Sequence, residues 1–303
     1  MTIELARARI VTKPWGVVDL RPWSTASGDG SSVGEIWYER PAKPTSEPKL
    51  LLKLLFTGQP LSIQVHPDDA YAQSIGLPNG KTEAWYVLKA ATGAQVALGL
   101  KQQSTPQQLR TAIDDGSVAE LVAWRGVSAD DAVFVPAGTI HSIGAGLVIA
   151  EIQQRSDTTF RLFDYARQRE LHIERAVAVA NAGPPDDQEP PRCVSDERTV
   201  LISNAHFIFE RINLPANTSW RMEAERETWL LVLRGSALAG TFNVAAGDAI
   251  FGQSDHIKIQ AGSTGVVALV AYTGMGGPVP HMLQPISRAS SEVGRPEVEL
   301  LPP

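Results

Sequence analysis

The chain has 303 residues, is 43% hydrophobic and 20% charged, and carries a formal net charge of −6 at pH 7. That length supplies one large domain or two modest ones with ample core, and the composition excludes general disorder. The acidic balance gives no long-range attraction to nucleic acid or to an anionic membrane.

The chain opens without the apolar core of a signal peptide. Short apolar-rich segments follow at 49–55, 61–66, 82–88, 95–98, 132–135 and 147–153. Gly, Pro, Asn or Asp punctuates many of their ends, as in Gly58-Gln59-Pro60 and Pro136-Ala137-Gly138. Many short strands at close spacing predict an all-β barrel or sandwich. Thr105-Pro106-Gln107-Gln108 predicts a helix start, with a cap residue, Pro at the first helical position and Gln at the third. Ser117-Val118-Ala119-Glu120 repeats the cap signal, so two short helices are expected within about 105–125, packed beside the β core. The stretch 166–181 has helical character. After it, 182–193 is Pro-rich and acidic and reads as a linker. It ends at Cys193, the single cysteine, which excludes an internal disulfide and any CxxC site and reads as a free thiol. Strand signals resume at 207–214, 228–233, 249–251, 257–260 and 266–272, and the polar tail 287–303 is expected to fray. No run approaches the ~18 apolar residues of a membrane span, so the chain reads as cytoplasmic and reduced.

A weak internal repeat joins the halves. Glu83-Ala84-Trp85 matches Glu227-Thr228-Trp229, and Asp131-Ala132-Val133-Phe134 matches Asp248-Ala249-Ile250-Phe251, in the same order. The division expected is a first unit over 1–181, a linker over 182–198 and a second, degenerate unit over 199–303.

The strongest constellation is Gln64-Val65-His66, Glu83 and His141. Strand alternation puts Gln64 and His66 on one face and Val65 on the other. Glu83 lies among apolar neighbours, where a carboxylate is costly unless paired or metal-bound. The Pro136-Ala137-Gly138 turn would deliver His141 to a strand edge or barrel mouth. Two imidazoles, a carboxylate and an amide oxygen suit Zn²⁺ or another divalent metal. The same histidines also suit hydrogen-bonded core positions. Downstream, Glu151 to Arg161 packs polar residues into a strand pattern, which suggests a lined cavity. Arg161 suits a phosphate or a developing oxyanion, or equally an ion pair with Glu151 or Asp157. Lys53 sits among leucines, and Lys81, two residues before Glu83, can aim at the same side. His172, His206, His256 and His281 have no ligand-like partners nearby, and Trp15 and Trp85 read as core or rim aromatics. No phosphate loop, GxGxxG or GxSxG motif occurs.

Pro60 to Pro67 (PLSIQVHP), Gly80 to Tyr86 (GKTEAWY), Val135 to His141 (VPAGTIH) and Glu151 to Arg161, with Lys13-Pro14-Trp15-Gly16 before them, closely resemble type I mannose-6-phosphate isomerases. The resemblance is dense from about 53 to 167 and thins past the linker. It lacks the large helical insertion of longer members and looks like the compact bacterial form. It implies a mainly β fold of two cupin-like (jelly-roll) barrel units with a few short helices. It also implies one zinc per chain held by Gln64, His66, Glu83 and His141. By the same resemblance Arg161 is catalytic, and Lys53, Lys81 and Glu151 line the pocket. Lys81 or Glu151 is then the expected proton carrier, and Lys53 the expected phosphate contact. The second unit lacks the Gln-x-His pair, so its role is expected to be structural. The implied partner is a small phosphosugar, with the oligomeric state left open. A non-catalytic sugar-binding cupin and an iron-dependent oxygenase are the competing readings.

Overall fold

The computed structural model describes residues 2–24, 30–41, 47–274 and 276–286. The expected fraying of 287–303 lies outside them. The fold is mainly β, with antiparallel pairing throughout three sheets. The order of the six-stranded sheet is Arg7–Val17, Val33–Glu39, Leu50–Thr57, Leu147–Gln154, Glu83–Ala90 and Ala132–Val135. Facing it is a five-stranded sheet ordered Phe160–Phe163, Ile63–Val65, His141–Ile143, Gln95–Leu100 and Val122–Gly126. Leu55, Trp85, Val87, Val133 and Ile149 of the first sheet share one core cluster with Val96, Leu98 and Ile143 of the second. Among the described residues the hydrogen bonding does not close the sheets into a barrel, so the cupin-like unit is a pair of facing sheets.

The six-stranded sheet is buried on its other face as well. Leu52, Leu54, Phe56, Ala84, Tyr86 and Ile152 pack against Phe207, Phe209, Trp229, Leu231 and Phe251 of a ten-stranded sheet. This explains why Leu50–Thr57 reads LLLKLLFT with every residue buried. A strand covered on both faces loses the polar alternation of a half-buried one. Most of the ten-stranded sheet comes from the second half of the chain, but Thr2–Leu5 joins its edge beside Ala249–Gln253.

The helices cover the outer face of the five-stranded sheet, where Leu109, Ile113, Val118 and Ala176 meet Ile63, Val65 and Leu162. Pro106–Asp114 begins with the full capping box that Thr105 and Gln108 announce. Val118–Leu121 forms too, but Ser117 is already helical in conformation and makes no side-chain cap. The helical pattern at 166–181 yields only Ile173–Val179. Tyr165, Ala166 and Gln168 take positive φ and turn the preceding residues into a loop. The strand signals at 257–260 and 266–272 belong to one long bent strand, Asp255–Thr273. Cys193 is exposed, in the short strand Arg192–Ser195.

Candidate active site

Strand register builds the site. On the six-stranded sheet Lys53 lies opposite both Trp37 and Glu151, and Glu151 opposite Trp85. Paired residues share a face, as do residues two apart, so Glu35, Lys53, Glu83 and Glu151 all project inward. On the five-stranded sheet Gln64 lies opposite both His141 and Arg161. His66, two residues on, shares that face, and Val65 goes to the helix side as its apolar character requires. The two rows meet between the sheets. His141 stands on an interior strand and is 1% exposed, which excludes the edge among the two places its turn suggested, a strand edge or a barrel mouth. The turn itself needs Gly138, at φ +86, whose N–H donates to His66 O at 2.8 Å.

His66, Glu83 and His141 each offer a ligand atom, and these atoms all lie within 4.8 Å of one another. His66 Nε2 is 3.4 Å from Glu83 Oε2, and His141 Nε2 is 3.4 Å from Glu83 Oε1. Both rings donate Nδ1–H to backbone carbonyls, His66 to Thr158 O at 2.9 Å and His141 to Thr139 O at 2.8 Å. That fixes each tautomer with an Nε2 lone pair aimed inward, the support a metal-binding histidine needs. Burial, reinforced by the Lys81 ammonium, lowers His66 to about 3. Burial also lowers His141, so both rings are neutral at neutral pH. Burial pushes Glu83 upward, but the Lys81 ammonium outweighs it and holds the carboxyl well below its usual range. The donor set therefore fits a divalent cation. Gln64 Nε2 donates to His141 Nε2 at 3.3 Å, and its Oε1 accepts from Ser62 Oγ at 3.1 Å.

Lys81 aims where its spacing from Glu83 predicts. Its ammonium is 2.6 Å from Glu83 Oε2 and 2.9 Å from His66 Nε2. Burial works against that charge, but Glu83 and Glu151 more than restore it, so its pKa rises. Glu151 is pushed up by burial and then by the charge of Glu83. Lys53 is held between Glu151 at 3.4 Å and Glu35 at 3.9 Å, 4.6 Å from the centre of the Trp37 ring. Trp85 Nε1–H reaches Glu83 at 3.0 Å and Glu151 at 3.2 Å, so this indole spaces the two carboxylates as well as filling core.

Gln64, Lys53, Lys81, Glu83, Glu151 and Arg161 all line one polar cavity of about 100 Å³. The ion pair of Arg161 with Glu151 or Asp157 is not formed among the described residues, and its buried Nε has no hydrogen-bond partner. Sequence reasoning missed Glu35 and Arg169, which also line the cavity. The signal for Glu35 was its place two residues before Trp37 in a strand facing Lys53. Lys13 and Trp15 line it as well, so the Lys-Pro-Trp-Gly segment belongs to the site wall. A larger hollow of about 380 Å³ lies elsewhere, under residues 185–192, and gathers none of the predicted site residues.

No family model matches this chain. Over 206 residues it is 37% identical to a mannose-6-phosphate isomerase of Streptococcus mutans, covering 65% of this chain and 63% of that relative, just under two thirds. Over 225 residues it is 33% identical to the mannose-6-phosphate isomerase ManA of Bacillus subtilis, covering 70% of this chain and 69% of the relative. The chain belongs to the mannose-6-phosphate isomerase family. Solved structures agree on the fold. A mannose 6-phosphate isomerase from B. subtilis superposes with a TM-score of 0.77 at 24% identity, covering 90% of this chain and 100% of that one. A phosphomannose isomerase variant from Salmonella typhimurium gives 0.72 at 14% identity, covering 91% and 100%. His66, Glu83 and His141 are the group of side chains among the described residues that could hold a metal ion. No helix among the described residues is long and apolar enough to cross a membrane.

Proposed function

We propose that this chain is a zinc-dependent isomerase that interconverts mannose 6-phosphate and fructose 6-phosphate through a cis-enediol. The observation that carries the reading is one polar cavity where Glu83 of the metal-ligand cluster, a carboxylate pushed upward in pKa, and cationic donors meet. His66, Glu83 and His141 would hold zinc. Turning over the Gln64 amide would present Oε1 as a fourth ligand. Bound zinc supplies Lewis-acid polarisation of the sugar oxygens. Glu151 removes the proton at C2 and returns it at C1, because its raised pKa brings it toward the working range of a general base. Lys81 stays protonated and donates a hydrogen bond toward the developing charge. Arg161, its Nε unpartnered, stabilises the enediolate oxygens. Lys53 is the proposed phosphate contact, although two carboxylates already share its charge. The division into units at 1–181 and 199–303, with 182–198 between, is part of the same proposal.

A coupled assay on mannose 6-phosphate tests it. Turnover is expected with zinc, lost with a chelator and restored by zinc alone. Zinc bound at one per chain without turnover would instead leave a sugar-binding protein. Activity restored only by iron(II) would rule out zinc.

A further inference from the structure

We propose that His172 is a positioning residue for Arg161: its neutral ring fixes the backbone on which the guanidinium is mounted, and protonation of the ring releases it. The inference rests on the isomerase reading above for the role of Arg161.

Arg161 lies in Phe160–Phe163, the outermost strand of the five-stranded sheet. An edge strand presents unpaired backbone groups on its free side. At Arg161 those groups are taken by one residue. Arg161 N–H donates to His172 Nδ1 at 3.1 Å, and His172 N–H donates to Arg161 O at 2.9 Å. Backbone N–H can only donate, so Nδ1 must present a lone pair and the ring proton must sit on Nε2. A protonated ring would set two donors against each other and break the bond. The charged groups facing the ring are Arg161 from the strand, Glu170 from the loop and Arg175 from the helix. Burial and then the Arg161 charge lower its pKa, which favours the neutral ring.

The connecting loop is shaped to make this contact. Tyr165, Ala166 and Gln168 adopt positive φ, a region side-chain-bearing residues seldom occupy, and the chain returns to Arg161 after eleven residues. Arg167 and Arg169 on that loop are both tied to Asp164. The Nε of Arg161 has no such anchor, so its aim into the cavity depends on how its backbone is held.

The test compares H172A and H172N, both zinc-loaded, across pH. H172A should keep its zinc and lose about tenfold in kcat, the rate equivalent of one ordinary hydrogen bond. Asn can place Oδ1 where Nδ1 was, so H172N should restore most of the activity at neutral pH. Glu151 titrates in both proteins, so the acid response specific to His172 is read in the exchange protection of 160–163, which should fall in the wild type and not in H172N. Hydrogen exchange of the segment 160–163 should speed up about tenfold in H172A and not in H172N. Wild-type kcat and exchange in H172A would overturn the proposal, as would protection of 160–163 in H172N that falls with acid as it does in the wild type. If the wild type proves to have no isomerase activity, the isomerase reading falls alone. The exchange arm still decides whether His172 holds Arg161, since protection in the wild type must then fall with acid and that of H172N must not.

Discussion

Glu227 offers a measurable link between the second half of the chain and the site. Its carboxylate accepts the N–H of Lys49 at 2.6 Å, the N–H of Leu50 at 2.8 Å and Trp229 Nε1–H at 3.2 Å. Lys49 and Leu50 lead into the strand that carries Lys53. Trp229 repeats toward Glu227 the contact that Trp85 makes toward Glu83. The repeat has thus kept its carboxylate–indole pair and turned the carboxylate to a new task. In E227A the exposed Lys49 amide can find water, whereas the Leu50 amide and the indole N–H are left buried without an acceptor. Two such orphaned donors should cost about 2–6 kcal/mol. E227Q keeps one acceptor oxygen and should lose about half of that. Urea unfolding of the three proteins reads the ranking directly. Burial raises the pKa of Glu227. The folded state therefore binds its proton more readily than the unfolded chain does, and the wild type should gain stability relative to E227Q as pH falls from about 7 to 5. An E227A protein that unfolds at the wild-type urea concentration would refute the reasoning.

Arg161→Ala should retain its metal by elemental analysis and lose on the order of 10²–10³ in kcat, the cost of removing one preorganised oxyanion donor; unchanged kinetics would remove its role. Lys53→Met leaves Glu35 and Glu151 buried without their shared ammonium, which should cost about 3–5 kcal/mol near pH 7.5. Burial already works to raise Glu35, and only Lys53, Lys13 and Trp37 hold it down, so losing Lys53 lets it rise. Folded-state carboxylates with raised pKa lose stability as pH rises, so the K53M penalty should shrink at pH 5. Equal penalties at both pH values would contradict this.

Local spacing put Gln64 and His66 on one strand face and Lys81 beside Glu83, and both relations hold in the fold. The Thr105 cap and the turn before His141 were equally plain, because each depends on a few adjacent residues. The readings that failed depended on distant context. Ser117 resembled a cap but was drawn into the helix. The helical character of 166–181 holds only over Ile173–Val179, because positive φ at Tyr165, Ala166 and Gln168 turns the start of the stretch into a loop. Glu35 carried no local signal, because its place in the cavity follows from the pairing of its strand with the one that bears Lys53.

Residue types, their alternation and the turns between them determined a β-rich chain with a metal-ligand kit and charged companions. Only the tertiary structure decided that Glu83 and Glu151 come from one sheet, that Gln64, His66, His141 and Arg161 come from the other, and that His172 returns to hold Arg161. Alternation is a property of neighbouring residues, whereas register is chosen by burying two faces of a sheet at once. That choice depends on partners tens of residues away, which no short stretch of sequence can specify.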